Sequence, residues 1–379
     1  MKPEVKPEVK PKKPLNKGQE GEKLEDLLRG IQSAAIIGIA KNVGKTTVVN
    51  YLTSTLAFHD RVVAVVSVGR EGVRKDFLTA VAKPSVYLPM GTLLVTGRKL
   101  IPFCQAGLEI LEIMPFQGPF GELVIARVRT SGLVELAGPV RTEELKAILN
   151  VFREKGAGIT LVDGALDRKA AAFPGVTEGI ILATGASVAG SLEAVIARTV
   201  HLVNLLVLPK LAEAKVKEAA QTILANGSVG IINSSSSIVE YKTSQNRTVE
   251  YKALEYKPLE YRTLLGHERA IATGLGPGTV LVLGGTLEDN SLCELMDNSA
   301  GCREVTLLVR DALRLFLEPE TTARLERLGW KIKVLHKPRL LAVTASSWSK
   351  SGRAIPPREF LLGLRHAVAP VPVFDVCLV

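Results

Sequence analysis

The sequence predicts an α/β protein with a parallel sheet, helices on both of its faces, an antiparallel insertion and a smaller C-terminal α/β unit. Three observations carry this. Short apolar runs alternate with helix-patterned segments from residue 33 to 232 and again after residue 266. The first of these runs, at 34–39, feeds directly into a loop bearing glycine and lysine and then into a helical pattern. Between 86 and 140 the alternation gives way to extended stretches punctuated by Gly and Pro, the composition of antiparallel strands and turns.

Taken in order, residues 1–23 repeat Lys-Pro-Glu-Val, carry too little apolar surface for a core and read as a disordered arm. A short amphipathic helix at 24–31 leads into the first strand. In the helix after the loop, Val48, Val49, Leu52, Thr55 and Leu56 fall on one face. Strands are expected at 62–68, 159–163, 179–183 and 229–232, and helices near 142–155, 188–205 and 212–225. Continuous apolar strands separated by helices suit a parallel sheet buried on both faces. The insertion, about 84–140, is expected to hold extended runs at 86–88, 93–96, 123–129 and 133–136. Residues 237–265 contain the repeat EYKTS, EYKAL, EYKPL, EYRTL and four of the six tyrosines. That unit is too short for a solenoid, so a Tyr/Lys-rich surface hairpin or flap is expected there. The span 266–379 reads as the second α/β unit, with strands at 280–283, 305–309, 331–335, 340–344 and 371–376 and helices near 287–297, 320–328 and 357–367.

The segment SAAIIGIAKNVGKTT at 33–47 holds the strongest chemical signal. A phosphate site needs backbone N–H groups turned toward an anion, a lysine for the outer phosphates and a hydroxyl for Mg²⁺, at the positive end of a helix. Gly38, Gly44, Lys45, Thr46 and Thr47 provide those parts, with Lys41 and Asn42 inside the loop as further phosphate contacts. The spacing is a variant of G-x-x-x-x-G-K-[ST], because the residue six before Lys45 is Ile39 and the glycine stands one earlier. Strand, loop and helix in succession make 24–236 a P-loop NTPase-like nucleotide-binding domain, with ATP or GTP and Mg²⁺ as the expected ligands. Acidic residues at strand ends of such a domain serve the metal and the attacking water. Asp163, closing the apolar run ITLV, is the first candidate, for Mg²⁺ and for catalysis beside Lys45. Glu71, after VSVGR, is a second metal candidate, and Asp167 a further catalytic one. Each also has a plainer reading, Asp163 as a turn cap and the other two as ion-pair partners of Arg70 or Arg168.

Composition narrows the remaining classes. With 379 residues and 46% hydrophobic content, the chain has enough apolar mass for a large core. The most apolar region, 179–211, is broken by Glu193, Arg198, His201 and Lys210, so no membrane span is expected. The N-terminus has no apolar signal core, and a cytoplasmic location is expected. Four cysteines lie far apart without a C-x-x-C pair and five histidines are dispersed, which argues against a disulfide framework, a zinc site or a Cys-His nucleophile. The formal charge of +10 is scattered and partly held in the lysine-proline arm. No aromatic-basic pattern accompanies it, so nucleic acid is not the favoured partner. The hydroxyl-rich run TASSWSK at 344–350 suits either an anion contact or a plain polar loop.

Two resemblances rest on these motifs. GIAKNVGKTT and LVDGA are similar to the corresponding segments of dethiobiotin synthetase, with its five-residue gap between loop glycines and an acidic residue before Gly-Ala at a strand end. Gly38, Gly44, Lys45, Thr46 and Asp163 fit that pattern. That family has a substrate-binding lysine followed by proline at the end of its second strand, where this chain has Ser67-Val68-Gly69, and the departure argues against ligase chemistry. More of the chain is covered by a second resemblance. IIGIAKNVGKTT, SVGREG, LVDGALDRKAA, ATGAS and PVPVFDV together resemble the P-loop subunit of lysine 5,6-aminomutase reactivase. The resemblance implies an ATP-binding component that restores a cobalamin- and pyridoxal-phosphate-dependent aminomutase of amino-acid fermentation, working with a MutS-like ATPase subunit. The Asp-x-His-x-x-Gly pattern of cobalamin binding is missing, so the chain is not expected to hold cobalamin itself. Two alternatives stand beside this, a stand-alone ligase of the dethiobiotin synthetase type and a nucleotide-gated binding protein without turnover.

Overall fold

The computed structural model describes residues 23–59, 61–68, 86–165, 176–227, 229–233, 237–242, 248–253, 255–348, 352 and 354–376. Strand β1 (Ser33–Gly38) is buried along its whole length, as a strand covered on both faces must be. It runs into helix α1 (Lys45–Phe58), and β2 (Val63–Ser67) follows. Next come β3 (Val86–Leu88), β4 (Leu93–Gly97), β5 (Gly107–Gly118), β6 (Gly121–Thr130), β7 (Gly132–Val134), α2 (Thr142–Glu154), β8 (Ile159–Ala165) and β9 (Gly179–Gly185). Helices α3 (Leu192–Leu206) and α4 (Ala214–Ala225) lead to β10 (Gly230–Ile232), β11 (Ser237–Lys242), β12 (Thr248–Ala253) and β13 (Tyr256–Pro258). The rest is α5 (Glu268–Ala272), β14 (Val280–Leu283), β15 (Leu287–Glu288), α6 (Asp289–Asn298), β16 (Thr306–Val309), β17 (Leu315–Phe316), α7 (Pro319–Arg327), β18 (Lys331–Val334), β19 (Leu340–Ser346), α8 (Pro357–Ala367) and β20 (Val373–Phe374).

Nine strands form one mixed sheet in the order β20-β19-β9-β1-β8-β2-β4-β6-β5. Neighbours from β20 to β4 are parallel, and β6 and β5 close the edge antiparallel. Helix α1 lies on one face, where Val48, Leu52 and Leu56 join Ala34, Ile36, Val65 and Leu161. On the opposite face α2 packs Leu145, Ile148 and Phe152 against Val66, Val95 and Val162. Beside it, α3 and α8 bring Val195, Val203, Phe360 and Leu364 to Ile37, Leu182 and Val343. The two sets of strand residues alternate along the chain, the period of two that a pleated strand imposes. A second sheet, β13-β10-β14-β16-β18, carries α4 on one face. Its other face, with Leu292 and Leu295 of α6 and Leu325 of α7, shares a core with α3. Among the described residues no helix is long and apolar enough to cross a membrane.

The architecture departs from the sequence reading in five ways. The antiparallel segment is not a separate lobe, since β4 pairs parallel with β2 and β6 and β5 extend the main sheet, leaving only β3 and β7 as a small antiparallel pair. Strand β5 itself was not expected, because its register shifts near Ile110–Glu112 and Ile113–Gln117 and so breaks the alternation by which a strand is recognised. The span 266–379 is not one unit: β19 and β20 belong to the nine-stranded sheet, and β10, from the N-terminal span, pairs antiparallel with β14 of the second sheet. The tyrosine repeat divides likewise. Residues 240–242 of the first copy lie in β11 and 250–253 of the second in β12, which pair antiparallel with Glu240 in register with Glu250, and 256–258 of the third form β13 against β10. In the fourth, Tyr261 stacks on His267 with ring centroids 4.1 Å apart. At the N-terminal end, the expected helix is a 3-10 turn, Leu24–Leu28, that buries Leu24 and Leu28. Tyr51 of α1 donates a 2.8 Å hydrogen bond to Glu25 there, and burial together with that carboxylate pushes its phenol up to about 12.

One close crossing of the chain lies at the carboxyl end of β2. The chain at Gly138 passes so close that a Cβ there would stand 1.8 Å from the Ser67 carbonyl oxygen. Gly138→Ala is expected to lower stability by about 1–3 kcal/mol, the usual cost of overpacking. Gly285→Ala, whose added Cβ would meet its nearest neighbour at 3.9 Å, is the matched control and should stay near wild type. Urea unfolding midpoints of the two variants check the difference.

Candidate functional site

The site is built where β1 ends. Ile39 N–H donates to the Ala183 carbonyl of β9 at 3.0 Å, which fixes the start of the loop, and Val43 anchors its far side in the core. Two left-handed residues turn the chain back: Asn42 at φ 60° and Gly44 at φ 87°. Gly44 is the residue before α1, and its carbonyl accepts the first helical bond from Val48 N–H at 3.0 Å. The side chain of Lys45 folds back over the strand end. A Cβ on Gly38 would stand 3.0 Å from Lys45 Nζ and 2.7 Å from Val43 Cγ2, so this position has room for glycine alone.

Asp163 lies on β8 in register with Ile36 of β1 and Ser67 of β2. It follows Ile159 and Leu161 in alternation, and those two pack on the α1 face, so its half-buried carboxylate belongs to the same face as the helix N-terminus. Lys45 and Thr46 are half-buried, whereas Lys41, Asn42 and Thr47 are exposed. Glu71 and Asp167 lie outside the described residues. Thus Gly38, Gly44, Lys45, Thr46 and Asp163 gather at the carboxyl edge of β1 and β8.

Two contributors stand outside the candidate residues chosen from sequence. Ser187, in the turn after β9, donates from Oγ to the Asn42 carbonyl at 3.1 Å. Ser346, the last residue of β19, packs on the loop glycine, its Cβ 3.0 Å from where a Cβ on Gly44 would be. Its carbonyl accepts from Ala186 N–H at 3.0 Å, joining the ends of β9 and β19. Register carries the relation inward: Gly38 pairs with Ala183, which pairs with Thr344. Thr344 is 2% exposed, and its hydroxyl makes no hydrogen bond among the described residues. The runs ATGAS and TASSWSK marked both segments, but only the fold could bring them to the loop.

The strands on either side of β1 are β8 and β9, which follow one another in sequence. A reversal of strand order of that kind is where ligands of open α/β sheets bind, at the carboxyl ends of the strands. The first N–H groups of α1 have no intrahelical acceptor and carry its positive end. With the Lys45 ammonium above Gly38, the arrangement is suited to a multiply charged anion, and the Thr46 hydroxyl and Asp163 add oxygen donors for a hard cation bridging to it. Among the described residues no three His, Cys, Asp or Glu side chains come together to hold a metal by themselves. The class so defined is an α/β protein whose candidate site is a loop and helix N-terminus at the carboxyl end of a large mixed sheet. No family model, curated protein or solved structure matches the chain.

Gly44→Ala is expected to cost about 1–2 kcal/mol, the price of a left-handed conformation for an L side chain, with Ser346 adding a contact at 3.0 Å. Asn42→Gly, at φ 60°, should be neutral or slightly stabilising. Chemical denaturation of the pair checks the backbone argument independently of any ligand.

Proposed function

We propose that this chain is a P-loop protein that binds ATP or GTP with Mg²⁺ at residues 38–47, and that nucleotide state controls its affinity for a protein partner. The observation that carries the reading is the Lys45 ammonium folded over Gly38 beside a left-handed Gly44 at the head of α1. In this reading Lys45 spans the β- and γ-phosphates, and Gly38 and Gly44 let the backbone approach them. Thr46 ligates Mg²⁺, and Asp163 holds the metal or one of its waters. Bound Mg²⁺ would neutralise charge on the phosphate oxygens. Thr47, Lys41 and Asn42, exposed around the loop, would contact the phosphates from outside.

The finer proposal is that the partner is a cobalamin- and pyridoxal-phosphate-dependent lysine 5,6-aminomutase, with a MutS-like ATPase subunit acting alongside. It is supported by the resemblance of the loop, LVDGALDRKAA, ATGAS and PVPVFDV segments to the reactivase subunit. A nucleotide that favours one arrangement of the strand-end loops can change partner affinity only by its differential affinity for the two arrangements. Release of a damaged cofactor then follows from altered binding, without bond-making on an amino acid. Ser67 at the end of β2, where a dethiobiotin synthetase would need lysine, weighs against a stand-alone ligase.

Calorimetric titration of MgATP and MgGTP into the wild type and into Lys45→Ala tests the site. The wild type should bind, and the variant should lose about 2–4 kcal/mol, the loss of a buried charge-assisted contact. Absence of binding by the wild type would sink the nucleotide reading. The partner reading predicts that inactivated mutase regains activity with this chain, the second ATPase, nucleotide and fresh cobalamin, and regains none with Lys45→Ala. Product formation from a carboxylate or amine without the mutase would instead support the ligase.

A further inference from the structure

We infer that Trp348 is the platform on which the base of the bound nucleotide stacks; this rests on the nucleotide reading of the loop. A triphosphate at the head of α1 must send its nucleoside along the carboxyl edge of the sheet, to one side of β1 or the other. On the β8 side stands Asp163, the group assigned to the metal. On the other side the loop is walled by the turn after β9 and the end of β19, through Ser187 on Asn42 and Ser346 on Gly44. Trp348 follows Ser346 by two residues, the spacing that returns an extended chain to the same face about 7 Å further along.

The tryptophan is held for such a use. Its backbone bridges to Ala354, Ser346 Oγ donates to its carbonyl at 3.3 Å, and Ile355 N–H donates to the Ser347 carbonyl at 2.9 Å. Yet its side chain is 66% exposed, a large apolar ring left in water on an anchored segment. The other tryptophan, Trp330, is 2% exposed and donates from Nε1 to the Cys302 carbonyl at 2.7 Å. An exposed indole on an anchored backbone, two residues beyond the Ser346 contact with the loop, offers a π-face to any base, so it adds affinity for a purine nucleotide without choosing between adenine and guanine.

The chain has two tryptophans, and the buried Trp330 emits to the blue of the exposed Trp348, so the red edge of the emission reports chiefly on Trp348. MgATP and MgGTP are expected to quench wild-type emission, and magnesium tripolyphosphate, which has no base, is expected not to. By calorimetry, Trp348→Ala should weaken MgATP roughly 5- to 150-fold, the range for loss of one base–aromatic stack. It should leave tripolyphosphate unchanged, and Trp348→Phe should recover most of the nucleotide affinity. Equal MgATP affinity in wild type and Trp348→Ala would overturn the inference while leaving the nucleotide reading intact. Equal weakening of MgATP and tripolyphosphate would also overturn it, making the residue a support of the loop. A wild type that binds neither ligand removes the nucleotide reading and this inference with it.

Discussion

Everything at the candidate site depends on β1 being buried on both faces at the centre of the main sheet. A strand so placed has no polar side chain to spare, and its last residue must be small enough for a lysine to lie over it. Ala34, Ala35, Ile36 and Ile37 are fully buried, packed by α1 on one side and by the α3 and α8 core on the other. With both faces and both hydrogen-bonding edges occupied, the only direction left for the chain is out through the carboxyl end, where the loop forms. The rigidity of that loop is inherited from the sheet: Val43 is buried in the core, and the Ile39 amide is bonded to β9.

The second sheet is inserted between two neighbouring strands of the first. Strands β9 and β19 lie side by side, yet α3, α4 and the whole five-stranded sheet intervene between them in sequence. Helix α3 packs on both sheets, and its His201 Nε2 pairs with the Leu317 carbonyl at 2.6 Å. The insertion leaves the main sheet at its carboxyl edge, through the turn that carries Ser187, and re-enters at the opposite edge, at Leu340, the start of β19. Ser346, which packs on Gly44, lies at the far end of that strand.

Much of this was legible in sequence because it depends on local pattern. The apolar run into Gly44-Lys45-Thr46, the buried runs that became β2, β8 and β9, and the helices that became α2 and α3 are all short-range signals. What stayed hidden is set by distant pairing. Leu341, Ala342 and Val343 look the same whether their strand joins the first sheet or the second; their neighbours decide it, and those lie more than 150 residues away, at Ile180–Leu182. Strand β5 was obscured by its bulges, which place Ile110 and Ile113 in the open and upset the expected alternation. Ser187 and Ser346 were visible only as members of hydroxyl-bearing runs, since the contact with the loop exists only once β9 and β19 are adjacent.

The contacts that brace the loop are also of a strength that a ligand could overcome. The Ser187 bond to Asn42, like the bonds among 346, 348 and 186, is a neutral hydrogen bond, and such bonds contribute about 0.5–1.5 kcal/mol each. A ligand acts on them only through the difference in its affinity for the two arrangements, and a tenfold difference, about 1.4 kcal/mol, already matches one such bond. The buried rows of β1, β8 and β9 lose large apolar surfaces if they shift, so the sheet holds while its strand ends yield. A ligand at the loop would therefore act on the strand ends that carry Ser187 and Ser346 before it disturbed any core, and the proposed control of partner affinity would arise at the ends of β9 and β19.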